Sequence, residues 1–366
     1  MFERVPRIER LEFEPGRRIL VVSDIHANLP YFRGALEKAA FCAKDELIID
    51  GDFLEKGQQS LETLRFIMEL CELGNVHPIL GNCDAHWTED VFSDLPDFDD
   101  HVLHYMKHKQ YGVLWEMCAA AGLDVMSMQS FTPHKETLKR LFPRELSFLH
   151  GLPHAIETDN FIFAHAGIDG SKPLSEHSTS ELMHRDAFLH EGQSFDKWVI
   201  VGHWPVVLYG ENVVCANPII DRARKIASID GGCVLKDDGQ LNVLVIPDRD
   251  SDEFTWVSYD PLPEKRVLRG QSGSTCSYYI RWGDSRVRVL ERGEEFSRCR
   301  HVRTGYEMDI LTKYLFRAGD ETDCNDSTDY VLPLRAGDAV RVVEETSRGY
   351  LVKHNGVSGW YFGELE

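Results

Sequence analysis

Six side chains, each at the end of an apolar run, carry donor types that divalent cations take. They are Asp24 and His26 in "SDIH", Asp52 in "DGDFLEKG", Asn82 in "GNCD", His165 in "FAHAG" and His203 in "VGHWP". Carboxylate, amide oxygen and imidazole suit ions such as manganese, iron and zinc. One ion has no use for six such ligands together with an open position, whereas two ions sharing a carboxylate do. Such a pair hydrolyses phosphate esters: it neutralises the oxygens that repel a nucleophile and acidifies a water that attacks phosphorus in line. Taken singly the elements are weak, because a D-x-H is usually a turn and a lone histidine is usually hydrogen-bonded in place. The ordered set carries the reading.

The elements that must position these donors alternate strand and helix. "RILVVSD" (18–24), "ELIIDGD" (46–52) and "VHPILGN" (76–82) read as strands ending in a polar residue. Between them "YFRGALEKAAF" (31–41) and "SLETLRFIMELCEL" (60–73) have helical spacing. This βαβαβ order implies an α/β fold with helices packed on a sheet, and ligands in open α/β sheets bind beyond the carboxyl ends of strands. "FIFAHAG" (161–167), "KWVIVGH" (197–203) and "KIASIDGGC" (225–233) repeat the strand-then-polar unit, and "QLNVLVI" (240–246) reads as a further strand. Residues 85–150 are more helical, without a resolvable pattern.

The motif set resembles the calcineurin-like metallophosphoesterases, whose pattern runs D-x-H, G-D-x-x-D-x-G, G-N-H-D/E and two separated histidines. The resemblance covers residues 18–246 and is strongest to the phosphoprotein phosphatase branch and its bacterial members, through "HAGI", "GHWPV", "SIDGGC" and "ELMHRDAFL". It implies a four-layer α/β/β/α sandwich and two divalent metal ions, manganese first and iron, zinc or magnesium as alternatives. By position it implies that Asp24 and His26 hold one metal, that Asp52 bridges, and that Asn82, His165 and His203 hold the other. Arg185 clamps the substrate phosphate. Lys56 stands where the family has a second arginine, and lysine neutralises phosphate without the bidentate fork. Asp230 steadies the surroundings of the site.

Two further positions depart from the pattern. Cys83 stands in place of the histidine that protonates the leaving group, and Glu55 in place of the aspartate that steers it. A thiol is a different acid in charge and geometry, so Cys83 is expected to spare metal binding and to alter leaving-group chemistry; His86 is a candidate substitute acid. The favoured activity is hydrolysis of phosphomonoesters, phosphoproteins among them. A phosphodiesterase or a dinucleoside polyphosphate hydrolase is the enzymatic alternative, and a non-catalytic metal-binding interaction protein the last.

The net charge of −20 argues against a nucleic-acid partner or an anionic membrane surface. No run spans a bilayer, and the charged start does not read as a signal peptide. Nine cysteines without C-x-x-C spacing fit free thiols in a reducing cytoplasm. After residue 250 short alternating strands with turn signals take over. We expect the phosphoesterase domain at 1–250, a small β module at 251–318 and an SH3-like barrel at 319–366. In the last, Trp360 and Tyr361 either line a peptide-binding groove or form the barrel core.

Overall fold

The computed structural model describes residues 5–88, 91 and 96–366, the side chains at 86–88, 96 and 97 excepted. The chain divides into two compact units. The first comprises residues 1–205, 218–235 and 239–260, and the second 206–217, 236–238 and 261–366.

Two sheets build the first unit. In the five-stranded sheet Ile19–Val22, Glu46–Asp50 and Val76–Ile79 run parallel, and Leu241–Ile246 and Thr255–Tyr259 add antiparallel beside Ile19–Val22. The strands are apolar on both faces, as their near-continuous β-branched runs require. Leu20, Val22, Leu47, Ile49 and Val243 face a cluster shared with the helices. Their neighbours Ile19, Val21, Ile48, Leu244 and Ile246 face the second sheet, where Phe161, Phe163, Trp198 and Ile200 meet them. That second sheet has six strands in the order Ile8–Arg10, Ala155–Glu157, Phe161–Phe163, Trp198–Val201, Ile226–Ser228 and Ile219–Asp221. Each fully buried aliphatic side chain contributes about 1.5–3 kcal/mol, so the two layers of core hold the strand ends in fixed register.

Helix Leu29–Lys38 starts on Asn28, whose side chain accepts from the Tyr31 N–H. Helix Ser60–Cys71 buries Leu61, Leu64 and Ile67, and the Glu116 carboxylate accepts from the Ser60 and Leu61 N–H groups at 2.8 Å each, which suits the positive end of a helix. The stretch without a clear pattern contains helices Pro96–Lys109, Val113–Ala120, Lys135–Leu141 and Pro143–Gly151. Three of the four expected sandwich layers are built in this way. After Gly151 the described residues form one α-helix, Thr179–Met183, so an outer helical layer on the six-stranded sheet has five residues of α-helix to draw on.

The second unit corrects the expected boundaries. Residues 251–260 belong to the first unit because Thr255–Tyr259 pairs with Leu241–Ile246. No division falls near 318: Arg286–Glu291 pairs with Glu321–Asp323, Tyr279–Ile280 with Ser327–Thr328, and Glu264–Arg266 with Ala339–Thr346. Ala339–Thr346, Gly349–His354 and Val357–Tyr361 form a meander, and Val214–Cys215 adds to its last strand. Tyr361 is fully buried, its hydroxyl donating to the Arg269 carbonyl at 2.8 Å, and the Trp360 indole donates to the Thr328 carbonyl at 2.7 Å. Both are core residues; Trp360 also lines a surface pocket with Phe296, Met308 and Phe362.

Candidate metal centre

Every expected ligand follows a strand of the first unit. Asp24 and His26 follow Ile19–Val22, and Asp52 follows Glu46–Asp50. Asn82 opens the helix after Val76–Ile79, His165 follows Phe161–Phe163, and His203 follows Trp198–Val201. The first two loops are stitched together by backbone hydrogen bonds from Asp24 to Gly51, His26 to Asp52 and Ala27 to Phe53, at 2.9–3.1 Å. Asp24, His26, Asp52 and His203 all have φ between 49° and 64°. Non-glycine residues adopt this left-handed backbone at about 1–2 kcal/mol each, and such strain persists where the surrounding fold enforces it. The glycines that precede Asn82 and His203 have a separate cause, close approach. A Cβ on Gly81 would lie 2.3 Å from the Asp52 backbone N and Oδ1, and one on Gly202 2.3 Å from Asp24 Oδ2.

The six side chains converge. His165 Nε2 lies 3.4 Å from Asp52 Oδ1 and 3.2 Å from Asn82 Oδ1, and Asn82 Oδ1 lies 2.9 Å from His203 Nδ1. Asp24 Oδ2 accepts from the His203 N–H at 3.0 Å, and Asp24 Oδ1 is 3.8 Å from His26 Nε2. Donor atoms of Asp52, His165 and His203 lie within 4.8 Å of one another, and so do those of His26, Asp52 and Cys83. Asp52 belongs to both groups.

The donor chemistry fits cations. His165 Nδ1 sits 2.8 Å from the Asp50 carbonyl, a contact that an N–H satisfies. Nε2 therefore presents a lone pair toward two oxygens. Acceptors converging in a buried site require positive charge between them: a cation, or a second proton on the imidazole. Protein atoms alone offer the proton, and the His165 pKa is raised well above the ordinary histidine range. Burial on its own lowers it, but the Asp52 and Asp24 carboxylates more than offset that. Burial pushes His26 down to about 3 and His203 to about 4, which keeps both in the neutral form that ligates. Asp24 Oδ1 and His26 Nδ1 are buried without a hydrogen-bond partner. Asp230 follows Ile226–Ser228, holds the Gly232 N–H through Oδ1 at 2.8 Å, and leaves Oδ2 buried and unpartnered; burial lifts its carboxyl to about 6.

The remaining expected residues divide. Cys83 is at the site, its N–H donating to Asp52 Oδ1 at 2.8 Å. Lys56 is mostly buried, and its charge acts on Cys83, Asp52, Asp24 and Asp230. Glu55 turns elsewhere: its carboxylate accepts from the Val113 N–H at 2.9 Å and the Tyr105 hydroxyl at 3.2 Å, so it does not steer Cys83 as the expected pair would require. Arg185 is held by Glu191 through Nη1 at 3.0 and 2.8 Å, with Nε buried and unpartnered. The side chain of His86 lies outside the described residues. Sequence reasoning missed Asp84, which accepts from the Leu54 N–H and the Gly81 N–H at 2.9 Å each and so ties the Asp52 loop to the Asn82 turn. Its place beside Asn82 in "GNCD" was the available signal. It also missed His184, whose ring centroid is 6.3 Å from that of His203, and Asp186, 3.5 Å from His203 Nε2.

The sequence profile of the family described as calcineurin-like phosphoesterase matches residues 17–232. The chain belongs to this family. Among curated relatives, this phosphoesterase is 40% identical over 67 residues to the symmetrical bis(5'-nucleosyl)-tetraphosphatase of Psychromonas ingrahamii. That stretch covers 18% of this chain and 24% of the relative, about a quarter of its length. The enzyme of the same name from Actinobacillus succinogenes is 26% identical over 256 residues, covering 58% of this chain and 88% of the relative. A protein serine/threonine phosphatase from Saccharomyces cerevisiae superposes with a TM-score of 0.42 at 13% identity, over 71% of this chain and 85% of that one. Among the described residues no helix is long and apolar enough to cross a membrane.

Proposed function

We propose that this phosphoesterase hydrolyses phosphoanhydrides of the dinucleoside polyphosphate class. Its two cations would be held by Asp24, His26, Asp52, Asn82, His165 and His203. When bound, the cations supply charge neutralisation of phosphate oxygens and a water acidified enough to attack phosphorus. The chain's own residues bind and orient. Asp52 sets the spacing of the two halves, Asn82 fixes both histidines, and Lys56 places a compact positive charge beside the site. The placement of Glu55 carries the choice of substrate. With its carboxylate bound by Val113 and Tyr105, and with cysteine at position 83, the described residues place no Glu55-steered histidine where the family's pattern puts the acid that protonates a leaving alkoxide. A phosphate leaving group departs as a stable anion and has little need of that proton. The names of the two tetraphosphatase relatives point the same way.

One observation favours phosphomonoesters, phosphoproteins included, as a second reading. The Arg185 guanidinium presents a bidentate fork next to Asp186, which reaches His203, although it must exchange Glu191 for phosphate. The two readings separate in one assay: purified protein with manganese, offered diadenosine tetraphosphate, p-nitrophenyl phosphate, bis(p-nitrophenyl) phosphate and a phosphoserine peptide. The anhydride reading expects kcat/KM on the tetraphosphate to exceed that on the phosphopeptide by at least about a hundredfold, the scale attached to a working general acid. Comparable rates would replace it with the monoester reading.

A further inference from the structure

We infer that Cys83 is a ligand of the cation held by His26 and Asp52, so that the two halves of the centre differ by one sulfur. The inference rests on the two-cation reading. It replaces the expectation that the cysteine spares metal binding.

Three buried side chains, His26, Asp52 and Cys83, bring a nitrogen, an oxygen and a sulfur within 4.8 Å of one another. Bonds of about 2.0–2.3 Å to nitrogen, oxygen and sulfur donors place two ligands of one ion up to roughly 4.5 Å apart, so a single ion closes this group with small side-chain shifts. The sulfur is also held. The Cys83 N–H donates to Asp52 Oδ1 at 2.8 Å, and Asn82 Nδ2 donates to Cys83 Sγ at 3.5 Å. The Asn82 amide thereby serves both halves, its oxygen facing His165 and His203 and its nitrogen facing the sulfur. A second observation points to a ligand at the same place: Asp24 is about 99% buried, and its Oδ1, 3.8 Å from His26 Nε2, has no hydrogen-bond partner.

The competing roles are weaker. All nine cysteines are free, so no disulfide claims the sulfur. Glu55 does not steer it as an acid. A purely packing thiol has no reason to sit among Asp52, His26 and Lys56. Ligation releases the thiol proton to water as the sulfur–cation bond forms. Thiolate favours zinc, iron and cobalt over magnesium and manganese. The half made of Asp52, Asn82, His165 and His203 keeps oxygen and nitrogen donors alone.

Cobalt reports the difference. The metal-free chain of residues 1–366 is titrated with Co2+, the bound ions are counted by elemental analysis, and the near-ultraviolet thiolate-to-cobalt charge-transfer band is recorded. The expected result is two cobalt ions per chain and a band that Cys83→Ser abolishes. In that variant zinc affinity falls at least about tenfold, the lower end for a disturbed metal site, and manganese affinity changes less. Two ions without a band, or a band that persists in Cys83→Ser, overturns the inference and leaves the two-cation reading standing. No cobalt bound to folded protein overturns both. If Cys83→Ser fails to fold, X-ray absorption on the cobalt-loaded wild type decides: a sulfur neighbour near ~2.3 Å supports the ligand, and only lighter neighbours overturn it.

Discussion

Asn82 and His203, 121 residues apart in the chain, meet with the amide oxygen 2.9 Å from Nδ1 of the imidazole. The same oxygen reaches His165 and the same amide's nitrogen reaches Cys83. One side chain therefore orients three others. Asn82→Ala removes all three contacts while leaving its backbone place at the helix start. We expect binding of one of two manganese ions to weaken by at least about tenfold, read by calorimetric titration. Retention of two sites of unchanged affinity would remove Asn82 from the ligand set.

Asp52 is the residue common to both donor groups. Asp52→Asn keeps the shape and removes the negative charge. Hydrolysis should fall by on the order of 10²–10³, the loss typical of a deleted electrostatic contact at a reacting centre, and bound metal should drop below two per chain. A variant with two metals and near-normal kcat would mean that the halves do not share this carboxylate.

Asp84 tests positioning without ligation. Asp84→Ala leaves the Leu54 and Gly81 N–H groups buried without their carboxylate partner. Each unsatisfied buried group costs about 1–3 kcal/mol, so the urea midpoint should fall. Metal affinity should weaken by about 10- to 100-fold as the Asp52 loop and the Asn82 turn separate. Loss of stability with full metal affinity would confine Asp84 to folding alone.

Glu55 gives a pH signature. Burial, with smaller contributions from Glu116 and Asp52, pushes its carboxyl up to about 7. The folded chain thus keeps a proton that the unfolded chain releases in the ordinary glutamate range. The associated stability is fully present below that range and is lost as pH rises through about 7. Glu55→Gln has no such proton, so its unfolding free energy in metal-free protein should fall less steeply than wild type between those limits. Parallel curves would show that Glu55 does not titrate in this window.

The strands and their terminal donors were legible because each ligand ends an apolar run, and because glycine precedes Asp52, Asn82 and His203, where side chains or backbone crowd the Cα. The helices between 96 and 151 were not legible. Pro96–Lys109 packs Val102, Leu103 and Met106 against the core while carrying a polar, histidine-rich surface, and its apolar period is short and interrupted. The hold of Val113 and Tyr105 on Glu55 depends on residues 58 and 50 positions away, and motif spacing carries no trace of such contacts. The unit boundaries failed for the same reason. Composition marks where strands become short, but pairing of Val214–Cys215 with Val357–Tyr361 joins segments that no local signal connects.

That pairing bears on truncation. Residues 206–217 leave the phosphoesterase fold directly after His203 and Pro205, and residues 236–238 leave it shortly after Asp230, to serve the unit completed by 261–366. Residues 261–366 are consequently not a self-contained unit, because 206–217 and 236–238 complete it. A gene ending at codon 260 would encode Val214–Cys215 without its partner strand Val357–Tyr361, shortly after His203 of the candidate centre.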